Sequence, residues 1–216
     1  MSRPLQPDAR LLLAAEMARC DGLFADIGTD HGRLPAYMLE NGLCGSALLC
    51  DISAPALDKA RALFSQRRLS GDFRVFDGMP DAEAESVAVL GMGGDTIAHI
   101  LRNGQTHFHG AKLTLSPQKD ADTVRCAVME TGYHIIRECL VREGGRLYLL
   151  MQAVPGETVY SEKELFLGPC LMAEQPPLWR DYLAWTAGVL EKIHTPLGET
   201  RLSWVKEYLN GGGMRQ

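Results

Sequence analysis

Short apolar runs that end in an acidic residue, a glycine or a proline recur along the chain. Between them, apolar positions repeat every three to four residues. The runs are Leu23 to Ile27, Ala47 to Asp51, Phe73 to Phe76, Ser86 to Leu90 and Lys112 to Leu115. Their length and closing turn residues read as buried strands. Helical spacing marks Arg33 to Glu40, then Leu57, Ala60, Leu63 and Phe64 behind Ser53 and Pro55, then Asp95 to Leu101 and Asp120 to Thr131. Strand and helix alternate, which predicts a doubly wound parallel sheet. Before it, Leu11, Leu12, Ala15, Met17 and Ala18 follow Pro7-Asp8 and stop near Cys20-Asp21-Gly22. That pattern predicts an amphipathic helix beside the first strand.

The alternation breaks at His134 to Val141, Gly144-Gly145 and Leu147 to Val154. Two strands joined by a short glycine turn are antiparallel neighbours. The predicted class is α/β: a Rossmann-like parallel sheet closed by an antiparallel terminal hairpin, as in class I methyltransferases and unlike simple NAD-binding folds. Pro155-Gly156 ends it, so the expected division is a sheet domain over 1–156 and a small helical one, an appended antiparallel helix pair, over 157–216. In the second, Leu178, Tyr182, Trp185, Val189 and Ile193 form one helical stripe, and Leu202, Val205 and Leu209 start another. All three tryptophans, Trp179, Trp185 and Trp204, fall there. Contact between two paired helices is the simpler account of them, and stacking on a base is the other.

The candidate chemistry gathers where strands end. In Phe24-Ala25-Asp26-Ile27-Gly28-Thr29-Asp30-His31-Gly32-Arg33-Leu34-Pro35, a strand turns sharply into a helix. Gly28 and Gly32 give backbone freedom and bare surface, and the helix start offers unpaired N–H groups. Ligands of doubly wound sheets bind outside the carboxyl ends of the strands. Those ends carry Asp26 and Gly28, Asp51 followed by Ile52, Asp77-Gly78, and Gly91-Met92-Gly93-Gly94. Asp51 is placed to accept from ribose hydroxyls, and Asp77 from the exocyclic amine of an adenine. A dinucleotide fingerprint needs a second glycine where this chain has Asp30. A carboxylate there repels a pyrophosphate and suits an ammonium or sulfonium, both of which S-adenosylmethionine carries. Gly91 to Gly94 leaves a bare backbone with room for a flat ring, in place of the proline-aromatic tetrad of amino-group methyltransferases.

Composition narrows the setting. Across 216 residues the chain is 46% hydrophobic and 23% charged, with a net charge of −5, which argues mildly against non-specific nucleic-acid binding. No apolar run approaches the ~20 residues of a membrane span. Met1 to Cys20 lacks the pattern of a signal peptide, so a cytoplasmic protein is expected. The six cysteines are scattered without a C-x-x-C pair, which predicts reduced, mostly buried thiols and no metal site. His107-Phe108-His109 reads as a loop.

With these residues in hand, the chain resembles the bacterial TrmK family of tRNA (adenine-N1)-methyltransferases acting on adenine 22. The resemblance rests on Ala25 to Pro35, Gly91 to Gly94, Arg142-Glu143-Gly144-Gly145-Arg146-Leu147-Tyr148 and Glu164-Leu165-Phe166-Leu167-Gly168-Pro169. It implies a Rossmann-like catalytic domain, a C-terminal coiled-coil-like helical domain, S-adenosylmethionine as cofactor and tRNA as substrate. The chain departs from the family at Ser116-Pro117-Gln118, where a Gln-Pro-Asn-like turn is usual. The expected cofactor residues are Asp26, Gly28, Asp30, Gly32, Asp51, Ile52, Asp77, Gly78, Gly91, Met92 and Gly93. Asp30 and His31 are the catalytic candidates, with His31 either orienting the base or capping the turn. Arg33, Gly94, Gln118 and Lys119 are the substrate candidates. Arg67, Arg68, Lys112 and Arg125 are further cations for phosphates, each weighed against a solvated helix face. A monomer or weak dimer is expected. The alternatives are a small-molecule methyltransferase of the same fold and a non-catalytic tRNA-binding protein.

Overall fold

The computed structural model describes residue 5 and residues 7–211, so residues 1–4, 6 and 212–216 of the two expected domains lie outside it. Seven strands form one sheet: β1 (Leu23–Ile27), β2 (Ser46–Asp51), β3 (Asp72–Val75), β4 (Ser86–Leu90), β5 (Lys112–Ser116), β6 (Tyr133–Glu143) and β7 (Arg146–Pro155). Their order is β3-β2-β1-β4-β5-β7-β6. Strands β1 to β5 are parallel, while β7 runs antiparallel between β5 and β6. The reversal follows from the Gly144-Gly145 turn. Both residues have positive φ, at 54° and 78°, which is the twist a tight hairpin needs.

Alternate residues of each strand feed opposite faces. Phe24, Ala88 and Leu150 join a cluster with α1 (Ala9–Ala18) and α2 (Arg33–Glu40). Ala47 and Leu49 meet Leu57, Ala60 and Phe64 of α3 (Ala54–Arg67). Ala25, Ile27, Val87, Val89 and Met151 face the other way, toward α4 (Gly94–Asn103) and α5 (Ala121–Glu130). Fully burying one such Leu, Val or Phe side chain contributes about 1.5–3 kcal/mol, so the register is strongly specified. Helix α1 lies mainly across β4 to β7, further along the sheet than its expected place beside β1.

Among the described residues, the C-terminal region holds four helices where the stripes predicted two: α6 (Glu162–Leu167), α7 (Pro169–Glu174), α8 (Trp179–Leu190) and α9 (Pro196–Leu209). Leu167, Leu171, Trp179, Leu183, Ala187, Leu190 and Val205 belong to the same buried cluster as the sheet residues facing α4 and α5. Trp179 is buried against Tyr182 and Tyr208, and Trp204 meets Phe166, as the helix-contact account expects. The rest of the first stripe departs from expectation, because Trp185, Val189 and Ile193 are exposed by 61%, 42% and 42%.

A buried ion pair fastens these helices to the sheet. Arg125 Nε donates to Glu138 Oε1 at 2.8 Å, with both side chains fully buried. Arg125 Nη1 also donates to the carbonyls of Leu165 and Phe166, and Glu138 Oε2 accepts from the N–H groups of Cys170 and Leu171. Gly168 passes directly over the pair: a Cβ there would lie 2.6 Å from Glu138 Oε2, and its φ is 103°. Arg125 is therefore structural, which corrects its place among the phosphate-facing cations. The expectation for the cysteines is also trimmed: all six are free, but only Cys44 and Cys50 are buried.

Candidate active site

The loop after β1 is held by backbone bonds to its neighbour strand. Gly28 and Thr29 both donate to the Cys50 carbonyl, and the turn is completed by Gly28, Asp30 and Gly32 at φ of 74°, 42° and 65°. A non-glycine residue at positive φ is uncommon and costs energy, so Asp30 is held in place by its surroundings. Its N–H donates to Asp51 Oδ2 at 3.3 Å, and Asp51 Oδ1 accepts from Ser53 N at 2.8 Å. The end of β2 thus braces the turn after β1.

On the other side, the loops after β4 and β5 close against each other. Gly91 N donates to the Ser116 carbonyl, Gln118 N to Met92, and Gly94 N to Lys119. A Cβ on Gly94 would stand 2.2 Å from the Asp120 carbonyl oxygen, so this close approach requires glycine. Ser116 Oγ bonds the Leu149 carbonyl inside the sheet, which leaves Gln118 as the exposed member of the departing turn.

Between these loop pairs lies a cavity of about 380 Å³, lined by Asp26, Gly28, Asp30, His31, Arg33, Gly91, Met92 and Gln118 among others. Of the expected residues, these eight share the cavity wall, whereas Gly32, Asp51, Ile52, Asp77, Gly78, Gly93, Gly94 and Lys119 are not part of its lining. Asp26 is only 6% exposed and accepts from Thr29 Oγ1 at 2.6 Å. Burial pushes its carboxyl up to about 6; the Thr29 bond opposes this and nearby Asp51 adds to it. Asp30 is exposed and pairs with His31 Nδ1 and with Lys59 Nζ, the latter at 3.1 Å. A desolvation cost acts the other way, but hydrogen bonds from Lys59 and His31 hold its carboxyl below the usual range. His31 thus grips the neighbouring acid within the turn. Met92 lies over Gly28, where an added Cβ would meet its methyl group, so the glycine makes room for that thioether.

The other expected residues lie outside the lining of this cavity. Ile52 is 69% exposed just past the end of β2, and Asp77 is exposed past the end of β3. Gly78 is buried at φ 93°, and its carbonyl accepts from Cys50 Sγ. Gly32 faces Ala60 and Leu49 rather than open space, so its bare surface serves helix contact between α2 and α3. Gly93 and Lys119 occupy the paired loops, with Lys119 exposed and bonded to Asp120. Arg67 pairs with Glu40 at the far end of α3, and Lys112 bonds the Arg19 carbonyl at the start of β5. Neither reaches the rim, so of the two readings weighed for them the phosphate contact gains no support.

The pattern of the sequence did not single out Asp8, Arg10 and Leu11, which also line the cavity from the start of α1. Asp8 was legible only as a helix start, and indeed its Oδ1 accepts from Leu11 N. Arg10 sits over the Tyr148 ring, 4.9 Å from its centroid, and so ties α1 to β7 at the rim. Phe76, 43% exposed at the edge near Ile52, was read only as strand.

A family model described as tRNA (adenine(22)-N(1))-methyltransferase matches residues 24–211. The chain belongs to the TrmK family. It is 27% identical over 205 residues to the tRNA (adenine(22)-N(1))-methyltransferase of Bacillus subtilis, covering 88% of this chain and 86% of that protein. The crystal structure of B. subtilis TrmK aligns at 26% identity with a TM-score of 0.78, covering 96% and 97% of the two chains. Sp1610 of Streptococcus pneumoniae, solved with S-adenosyl-L-methionine, shares the fold at a TM-score of 0.86 and 24% identity, covering 93% and 98%. M. capricolum TrmK, solved with S-adenosyl-homocysteine, does so at 0.82 and 22%, covering 97% and 99%. Among the described residues of this TrmK-family chain, no helix is long and apolar enough to cross a membrane. Among the same residues, no group of three or more His, Cys, Asp or Glu could hold a metal ion.

Proposed function

We propose that this TrmK-family chain transfers a methyl group from S-adenosylmethionine to N1 of adenine 22 in tRNA, in the cytoplasm. The observation that carries the reading is the buried carboxylate of Asp26, opening with bare Gly28 and Gly91 onto the cavity at the ends of β1 and β4. A buried acid facing a cavity suits a cationic ligand, and the two glycines leave the backbone open to close approach. Asp51 has the position to take ribose hydroxyls. Ile52 and Phe76 offer apolar cover for an adenine whose amine reaches Asp77. The residues present therefore fit the cofactor.

When bound, the cofactor supplies an electrophilic methyl group on a positively charged sulfur. Adenine N1 has a free lone pair at neutral pH, so no residue has to remove a proton before attack. The chain's work is alignment and charge stabilisation. Asp26 and Asp30 favour the positive charge as it passes from sulfur to the purine ring. Gln118, the exposed amide between the paired loops, is positioned to hold the incoming base edge, while Arg33 and Lys119 meet phosphates. N1 lies on the Watson–Crick edge, so the target base must leave any pairing before it enters.

The direct test is incubation with labelled S-adenosylmethionine and unmodified bacterial tRNA, followed by digestion and mapping. The expected product is 1-methyladenosine at position 22. Methylation at another nucleoside, or none in tRNA, would overturn the assignment.

A further inference from the structure

We propose that Trp185 is a stacking platform for the nucleotide beside the target adenine, with Arg142 and Arg146 meeting its phosphates. This rests on the tRNA reading above and names the protein surface that holds the strand around the reacting base. Helix α8 buries Trp179, Leu183, Ala187 and Leu190, yet presents Trp185 at 61% exposure. An indole offers a large, rigid apolar face of the kind on which a base stacks. Its ring is steadied from one side by Tyr182, 6.1 Å away between centroids.

Beneath Trp185 is a second cavity, of about 680 Å³, lined also by Arg10, Gln118, Arg142, Arg146 and Tyr148. Arg10 and Gln118 line the first cavity too, so the two spaces meet along that pair. Three guanidinium groups face one carboxylate here, Asp181, which Arg142 Nη2 already holds at 2.6 Å. Arg146 makes no ion pair among the described residues, and Arg10 is spent on the Tyr148 ring. In a chain with a net charge of −5, this is a local reversal of sign. Exposed aromatic surface framed by arginines suits a ligand that is flat and anionic at once, which describes a single-stranded nucleotide. An acidic peptide would satisfy the charges but leave the indole without a planar partner.

Position separates the flanking nucleotide from the target itself. The acids expected to meet the cationic donor, Asp26 and Asp30, line the first cavity and not the second. The reacting base therefore enters the first, and Trp185 lies across the Arg10 and Gln118 boundary, where the adjoining nucleotide of the same strand runs.

The test compares wild type with Trp185→Ala, Trp185→Phe and Arg146→Ala, using unmodified tRNA and labelled S-adenosylmethionine. Trp185→Ala is expected to raise the KM for tRNA by about tenfold or more. Its kcat should stay within about twofold and its calorimetric affinity for the donor should not change. Trp185→Phe, which keeps a ring, should restore most of the KM. Arg146→Ala should flatten the salt dependence of tRNA binding by roughly one phosphate contact. An unchanged KM in Trp185→Ala would overturn the proposal. So would a loss confined to kcat, which would place the indole on the target base, or a loss of donor affinity, which would make its role structural. If wild type methylates tRNA while Trp185→Ala matches it, this inference alone fails. If wild type leaves tRNA unmethylated, the broader reading fails with it.

Discussion

Two acids four residues apart, one in β1 and one in the turn after it, do opposite things because their surroundings differ. Asp26 is buried with one hydroxyl for company and holds its proton up to about pH 6, whereas exposed Asp30 takes hydrogen bonds from Lys59 and His31 that hold its carboxyl below the usual range. A carboxylate whose pKa is raised in the folded state stabilises the fold most at low pH, and that contribution is lost as pH rises through about 6. A cationic ligand reverses the preference, since it favours the ionised form. Calorimetry should therefore show donor affinity falling as pH drops from 7.5 toward 5, by up to about tenfold per unit below the Asp26 pKa. Asp26→Asn should remove this dependence, weaken donor binding at neutral pH and raise the melting temperature there. Asp30→Ala should lower kcat/KM by about a hundredfold or more, as expected for lost electrostatic stabilisation. Lys59→Ala, which frees the same carboxylate, should leave steady-state turnover within about threefold of wild type. Near-normal activity in Asp30→Ala would remove that acid from the mechanism. The turn's composition made Asp30 legible, and His31 beside it as a possible turn cap, but not Lys59, which comes from a helix beyond the next strand.

At the scale of elements, the strands were legible where burial on both faces forces a continuous apolar run. Leu23–Ile27 and Ser86–Leu90 have the boundaries that their composition predicts. The hairpin was legible from its two glycines. Helices α6 and α7 were not, because each spans six residues, too few for an apolar stripe to repeat. What fixes them is remote in sequence: Ser161 and Glu164 form a capping box, and the Arg125–Glu138 pair then takes the backbone groups on both sides of Gly168. The Glu164 to Pro169 motif thus has a structural purpose. Removing one partner of a buried pair leaves the other charge without compensation, so Glu138→Ala should cost about 3–5 kcal/mol in denaturant titrations. Gly168→Ala should also destabilise, by roughly 1–3 kcal/mol, since it adds both a Cβ clash and a positive-φ penalty. An unaltered midpoint in either variant would show that the pair does not fasten these helices. The stripe on α8 misled for the reason that makes it useful: helical spacing identifies a face without saying what covers it.

Across the whole molecule, the division at Pro155-Gly156 has to be weighed against a core that runs through it. Leu167, Leu171, Trp179, Leu183 and Val205 share one cluster with Val87, Val89, Leu113 and Met151 of the sheet. Cutting the chain at that point would expose this apolar surface on both pieces. Each large side chain so exposed forfeits about 1.5–3 kcal/mol, and a few of them together rival the 5–15 kcal/mol stability of a whole domain. The C-terminal helices and the sheet are therefore expected to unfold together. The sequence supplies its own probes for this, because all three tryptophans lie at or beyond Trp179 while every strand lies before Gly156. Indole fluorescence then follows the helices, and far-UV circular dichroism of the full chain includes the sheet. Coincident midpoints by the two methods are the expected result, together with failure of a fragment ending at Gly156 to fold cooperatively. Two separated transitions, with the fluorescence change first, would instead make the helical region an independent unit. The coupling matters for activity, because Trp185 reaches the rim from α8 and Arg10 from α1, with the sheet between them. A docking surface assembled from both ends of the chain keeps its geometry over the cavity only if the core beneath it melts as one.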